Sequence, residues 1–330
     1  MTTSIPDATL PVLLAHPGPH GVAVYAREMA AEVVSGAPGV RVITPDEAAS
    51  LAPGTPVHAH ITDRLWGASP EEATRTVEAL ARRHPLTATL HDVPQASDGE
   101  RNRPRRRAFY RSVSEAARAV AVNSAHEREL LREEGVWDGP VTVVPLPVAS
   151  VPPSVSAPSD DAVGVLGYFY PGKGHDEALA ATAASGLTRL SVLGRASEGH
   201  AADLDAFVRA AAAAGVTVEV TGWLDDADMI ARARRVAVPV IAHRHVSASG
   251  SLASWIGWGR RPVAVRNRYV DEMAALRPGT LDVVEPEHLA SAVAAARADA
   301  GRTWHGVDPV PFGRADAARA YRRWWADVSW

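Results

Sequence analysis

Short apolar runs alternate with Ala/Glu/Arg-rich helical stretches along nearly the whole chain, and this alternation restricts the fold more than any other feature. "LPVLLAHPG" reads as a buried strand, and "GVAVYAREMAAEVV" after it reads as a helix. "VRVIT", "PVHAHI", "LTATLHD", "AVAVNS" and "VTVVPLP" continue the strands, with "EEATRTVEALARRH" and "SAHERELLREEG" as helices among them. A parallel pair of strands needs a crossover of about a dozen residues or more, usually helical, so this order predicts a parallel sheet covered on both faces.

The rhythm breaks at "ASVPPSVSAPSDD" (149–161), a Pro/Ser-rich stretch nearly free of large apolar residues, which reads as a linker. It then restarts with "AVGVLGYF", "RLSVLGR", "VTVEVTGW", "VAVPVIA" and "RPVAVRN", separated by Ala-rich helices. With 330 residues there is room for two ordinary domains. The expected fold class is α/β: two Rossmann-like, doubly wound parallel-sheet domains facing each other across a cleft. The expected division is 1–150, a linker at 151–160, 161–300, and a helical tail at 301–330. Trp324, Trp325 and Trp330 should dock that tail on the first domain.

Composition removes whole classes of chemistry. The chain has no cysteine, which excludes disulfides, thiolate metal sites and cysteine nucleophiles. A net charge of -4 argues against general nucleic-acid binding. No apolar run reaches the ~18 residues that a membrane span requires, and the N-terminus lacks a basic leader, so a cytoplasmic protein is expected.

In doubly wound sheets ligands bind beyond the carboxyl ends of strands. The loops there are "HPGPHG", "HDVPQ", "YFYPGKG", "GWLDD" and "AHRHVSASGSLASW". Lys173, in "PGKG", is the only lysine of the chain; every other basic side chain is arginine. Its flanking glycines let backbone approach a ligand, and an ammonium is a compact point charge where a guanidinium is a broad fork. "SASGSLASW" (247–255) leads into a helix with Ser249 or Gly250 at the cap, leaving the N–H groups of Gly250, Ser251 and Leu252 for an anion, or else serving only as a cap.

At these residues the chain resembles the GT-B glycosyltransferases, in particular the retaining nucleotide-sugar enzymes of family 4, over nearly its whole length. "GPHGVAVYAREMA", "VHAHITD", "TLHDVP", "AVNSAHERELL", "VTVVPLPV", "GVLGYFYPGKGHDEALAA" and the segment from "VTGWLDD" to "RRPVAV" carry the likeness, in order and with matching spacing. The resemblance implies transfer of a sugar from a nucleoside-diphosphate sugar to a hydroxyl acceptor, with retention and without metal or other cofactor. It implies that Lys173 grips the donor phosphate and that His91 orients the sugar. His20 and Gly21 would belong to a first loop that meets the donor phosphate or admits the acceptor. Trp223 is either a platform for the nucleobase or a buried tryptophan.

The sequence departs from that family at three positions. Tyr168 stands where the family has an arginine beside the lysine, and Ser247 and Trp255 stand where it has two glutamates. His243, Arg244, His245 and Arg260 are the nearby candidates to restore charge. The alternative function is a catalytically degenerate protein that binds a nucleotide sugar without transferring it.

Other signals carry less. Asp225 in "LDDADM" reads as a helix cap, with first-turn acids offsetting the dipole, rather than as a metal ligand. The span Arg101–Arg111 holds six arginines and reads as a solvated loop and helix start, or as a contact for anionic membrane or a phosphorylated acceptor. The two histidines of "HAHITD" are expected on opposite faces of their strand. No Gly-x-Gly-x-x-Gly with a following acidic residue appears after a strand, which speaks against a dehydrogenase.

Overall fold

The computed structural model describes residues 10–151 and 160–330. Nearly all of the expected linker, 151–160, lies outside the described residues. The chain forms two compact units: unit 1 is Met1–Pro147 with Phe312–Trp330, and unit 2 is Val148–Pro311. Of the tail expected at 301–330, residues through Pro311 therefore belong to unit 2 and the remainder to unit 1.

Unit 1 is built on six parallel strands, β1 (Val12–Leu14), β2 (Val42–Ile43), β3 (Val57–Ile61), β4 (Leu86–Leu90), β5 (Ala119–Val122) and β6 (Val141–Val143), in the order β2-β1-β3-β4-β5-β6. The central strands β3 and β4 are buried along their whole length. One face carries Val57, Ala59, Ile61, Leu86, Ala88 and Leu90 into a core with Val77, Phe109 and Val113. The other carries His58, His60, Thr87 and Thr89, because the pleat alternates every second residue. Two helices close that polar row, Gly21–Gly36 and the last helix Arg314–Ala326, whose Tyr321, Trp324 and Trp325 pack with Met29, Val33, Ala121 and Val144.

The histidines of "HAHITD" thus correct the expectation drawn from the sequence. His58 and His60 are two residues apart, share a face, and bring their ring centroids within 4.9 Å.

Unit 2 has six parallel strands, β7 (Asp160–Leu166), β8 (Arg189–Leu193), β9 (Thr217–Val220), β10 (Val236–Ile241), β11 (Val263–Val265) and β12 (Asp282–Val284), in the order β12-β11-β10-β7-β8-β9. β12 is a partly buried edge strand of 3 residues, too short to stand out in the sequence. Arg260 is fully buried and ties this unit together. Its guanidinium donates to the carbonyls of Ala233, Arg234, Val236, Ala237 and Thr303 and lies 4.5 Å from the ring centre of Trp304. It therefore closes a helix end and a strand start, and supplies no charge to a ligand. Burial lowers its pKa to about 9.

The arginine-rich span lies inside one helix, Gly99–Ala116, which sinks Phe109, Tyr110 and Val113 into the unit 1 core. Arg103 pairs with Glu134, Arg105 with Glu71, and Arg106 with Asp63 and Asp98. Arg111 donates to the carbonyl of Gly135. Much of the positive charge expected at Arg101–Arg111 is matched within the unit.

Candidate functional site

In unit 2 the chain runs outward from β7 through β8 to β9 on one side, and from β10 through β11 to β12 on the other. β7 and β10 are neighbours, so the crevice beyond their carboxyl ends is the topological switch point of the sheet. The loop after β7 carries Lys173, and the loop after β10 leads into the helix Gly250–Gly257. Gly174 permits their approach: with φ at +98°, a Cβ there would lie 2.5 Å from the Ala242 carbonyl. A side chain on Gly167 would in turn begin 3.6 Å from the Lys173 Nζ.

Lys173 Nζ donates to Ser251 Oγ at 3.1 Å. Ser251 Oγ is 3.1 Å from Ser249 Oγ, which caps the helix by accepting from Leu252 N at 3.2 Å. Ser249 N donates to Tyr269 Oη at 3.0 Å, fixing the cap residue. The first intrahelical bond here runs from Ala253 N to the Ser249 carbonyl, so the N–H groups of Gly250 and Ser251 precede it and have no acceptor in the helix. Gly250 is exposed.

Lys173 is only 9% exposed. Among the described residues no carboxylate lies within ion-pair distance of it, and burial lowers its pKa to about 8. The neighbouring His175 and His243 add no charge. Burial, reinforced by Lys173, pushes His175 down to about 3 and His243 well below its ordinary value. His175 makes no hydrogen bond with either ring nitrogen and packs on Phe169, with ring centroids 4.6 Å apart. His243 is thus neutral, and Arg244 is drawn into an ion pair with Glu177.

The other positions singled out in the sequence divide by exposure. Trp223 is 70% exposed and stands just beyond β9, which rules out the buried reading. Tyr168 is 44% exposed, with the Arg195 guanidinium 5.8 Å from its ring centre. Ser247 is buried. Trp255 is fully buried in the core with Leu252 and Ile256, so it faces no ligand.

Unit 1 places its switch point between β1 and β3. The loop after β1 is held by Arg27, which donates to the carbonyls of His16 at 2.7 Å and Gly18 at 2.8 Å. His20 Nδ1 accepts from Val22 N at 3.2 Å and so caps the helix that Gly21 opens. His91 follows β4; its N–H bonds the Ile61 carbonyl, and its own carbonyl accepts from Tyr110 Oη. The ring Nε2 of His91 meets His60 Nδ1 at 3.0 Å. Burial, with His60 and His20 adding to it, holds His91 neutral. A neutral imidazole orients a ligand by hydrogen bonding, not by charge. The sequence reading left His60 unassigned; period-two counting along β3, beside "TLHD" on the next strand, is the signal that finds it.

Asp225 Oδ1 accepts from Asp228 N at 2.9 Å, the helix-cap geometry. Among the described residues no group of three or more His, Asp or Glu is arranged to hold a metal ion, and no helix is long and apolar enough to cross a membrane.

No protein-family model and no curated protein sequence matches the chain. Solved structures do. Sucrose-phosphate synthase from Thermosynechococcus elongatus superposes with a TM-score of 0.66 at 15% identity, covering 96% of this chain and 92% of that one. Anabaena HepE, solved with UDP and glucose, gives 0.65 at 14% identity, covering 97% and 95%. A trehalose-phosphate synthase (UDP-forming) from Burkholderia vietnamiensis gives 0.55 at 12% identity, covering 92% and 75%. These neighbours are glycosyltransferases of the GT-B fold, and at such identities the likeness is one of fold.

Proposed function

We propose that the chain is a glycosyltransferase that takes a sugar from a nucleoside-diphosphate sugar and gives it to a hydroxyl acceptor. One observation carries this reading: the sole lysine is buried at the unit 2 switch point without a counter-ion among the described residues, hydrogen-bonded to a serine in the first turn of a helix. A buried ammonium in that state is costly, and a diphosphate would satisfy it together with the N–H groups of Gly250 and Ser251. The fold neighbours add support, since HepE was solved with UDP and with UDP-glucose.

Cleaving the sugar–diphosphate bond leaves negative charge on a phosphate oxygen. Lys173 and the helix start are the groups to stabilise it, which needs no metal. Ser249 holds that start in place, Ser247 lines the loop before it, and Tyr168 and Trp223 are exposed aromatic surfaces for the donor, Trp223 for the base. We assign His91 to orienting the transferred sugar, and His20 with Gly21 to the first loop's contact with donor or acceptor. The acceptor hydroxyl attacks from the face the diphosphate leaves and passes its proton to a phosphate oxygen, giving retention.

Titration calorimetry with UDP and GDP tests the grip. Lys173→Ala should weaken binding by about 10-fold or more, the loss expected for a charged hydrogen bond. Equal affinity in the variant would overturn the reading. The buried Trp255 and Ser247, neither able to act as an acid, favour one second reading: binding of the nucleotide sugar without transfer. Tight binding with no turnover across a panel of hydroxyl acceptors would select it.

A further inference from the structure

The polar row inside unit 1 converges on His60, a residue the proposed chemistry does not touch. Its ring centroid is 4.9 Å from that of His58, 5.2 Å from His91, 5.1 Å from Tyr25 and 5.9 Å from Tyr321. The surrounding hydroxyls bond one another: Thr89 Oγ1 donates to Tyr321 Oη at 3.2 Å, and Tyr321 Oη is 3.3 Å from Tyr25 Oη. Asn123 Nδ2 donates to Tyr25 Oη at 3.4 Å. His58 spans Thr87 and Thr89 through its two ring nitrogens. A void of about 10 Å³ borders His58, His60, Tyr321 and Trp325, room for one water at most. These rings and hydroxyls contact one another directly.

The contact between His60 Nδ1 and His91 Nε2 is the point where this frame meets a ring assigned to the ligand. Two neutral imidazoles that share a hydrogen bond share one proton, so one ring donates and the other accepts. The contact occupies Nε2 of His91 and leaves Nδ1 as the nitrogen available to a ligand. If His60 donates, His91 Nδ1 carries a proton; if His60 accepts, Nδ1 presents a lone pair. The contact thereby restrains the plane of the His91 ring and couples what its outer nitrogen offers to the tautomer of His60.

We propose that His60 is a positioning residue for His91: through the Nδ1–Nε2 hydrogen bond, backed by Tyr25 and Tyr321, it locks one ring orientation and one tautomer of His91. This rests on the reading that His91 orients the transferred sugar.

His60→Leu removes the hydrogen bond, whereas His60→Asn keeps an amide group near the place of Nδ1. Nitrogen-15 NMR of the histidine side chains is the direct readout. The His91 signals should report a single tautomer in the unsubstituted protein and in His60→Asn, and a mixture in His60→Leu. Identical His91 shifts in His60→Leu would overturn the proposal. Where a donor is turned over, His60→Leu should lower kcat about 10-fold or more while UDP affinity, set in unit 2, stays level, and His60→Asn should recover most of the loss. Equal losses in both variants with unfolded NMR spectra in neither would also overturn it. If no donor is turned over at all, the NMR arm still decides the positioning role, and only the glycosyltransferase reading falls.

Discussion

Both units are six-stranded parallel sheets, yet the polar row of unit 1 and the buried lysine of unit 2 are treated in opposite ways. In unit 1 the polar face of β3 and β4 is answered side chain by side chain: histidine to threonine, threonine to tyrosine, histidine to histidine. In unit 2 the buried cation at the switch point is answered by one serine hydroxyl and the face of the Tyr170 ring, whose centre is 5.8 Å away, with no carboxylate paired to it among the described residues. A network that satisfies itself fixes geometry, because each member restrains the next. A group left short of partners stores the free energy that a ligand releases. The first arrangement suits a frame and the second suits an anion site, and strand order places each where it is.

The sharpest way to break this contrast is to make the lysine apolar. Lys173→Met should cut transfer by about 10²–10³, the usual loss for one donor aimed at developing charge. It should also raise the unfolding free energy of the unliganded protein at pH 7, on the order of 3 kcal/mol, because a buried ammonium without a counter-ion is gone. Chemical denaturation of both proteins checks the second part. A variant that loses stability would mean that Lys173 is a structural member of unit 2, and the two units would then not differ in kind.

Tyr321→Phe is the matching change in unit 1. It removes a fully buried hydroxyl that Thr89 donates to and that Tyr25 touches. The hydroxyls left behind lose their partner, so a destabilisation of about 1–3 kcal/mol is expected in denaturant titration, while UDP affinity stays unchanged. No loss of stability would show that the row is not a satisfied network.

The fold was readable wherever strands are buried on both faces. "LTATL" and "PVHAHI" stand out as apolar-flanked runs because nothing in β4 or β3 meets solvent. β12 did not stand out, because an edge strand of 3 residues carries too little pattern. Lys173 was visible because it broke the arginine usage of the chain inside a glycine-bracketed loop. Arg260 pointed the wrong way: its residue type signals charge, and only tertiary structure reveals the carbonyls that consume it. Trp223 was undecided because exposure at a strand end depends on the neighbouring loops, which local pattern does not encode. His60 was missed through the face assignment, although the two-residue spacing contained the answer.

The finest test of the contrast is a proton count. The folded protein holds Lys173 near 8, against 10.5 for an unburied lysine, so between those values the unfolded chain binds more protons than the folded one. Stability from this group therefore rises as pH climbs from about 8 towards 10.5. Anion binding runs the other way, since it needs the ammonium and returns its pKa upward by supplying the missing negative charge. UDP affinity should then fall above pH 8 in the same window where unliganded stability improves. At pH 8.5 binding should take up a fraction of one proton, read by calorimetry in two buffers of different ionisation enthalpy, and Lys173→Met should abolish that uptake. The histidines beside Lys173 cannot mimic this signal, because burial has moved His175 to about 3 and His243 well below its ordinary value. Uptake that persists in Lys173→Met would place the titrating group elsewhere and remove the feature that sets unit 2 apart from unit 1.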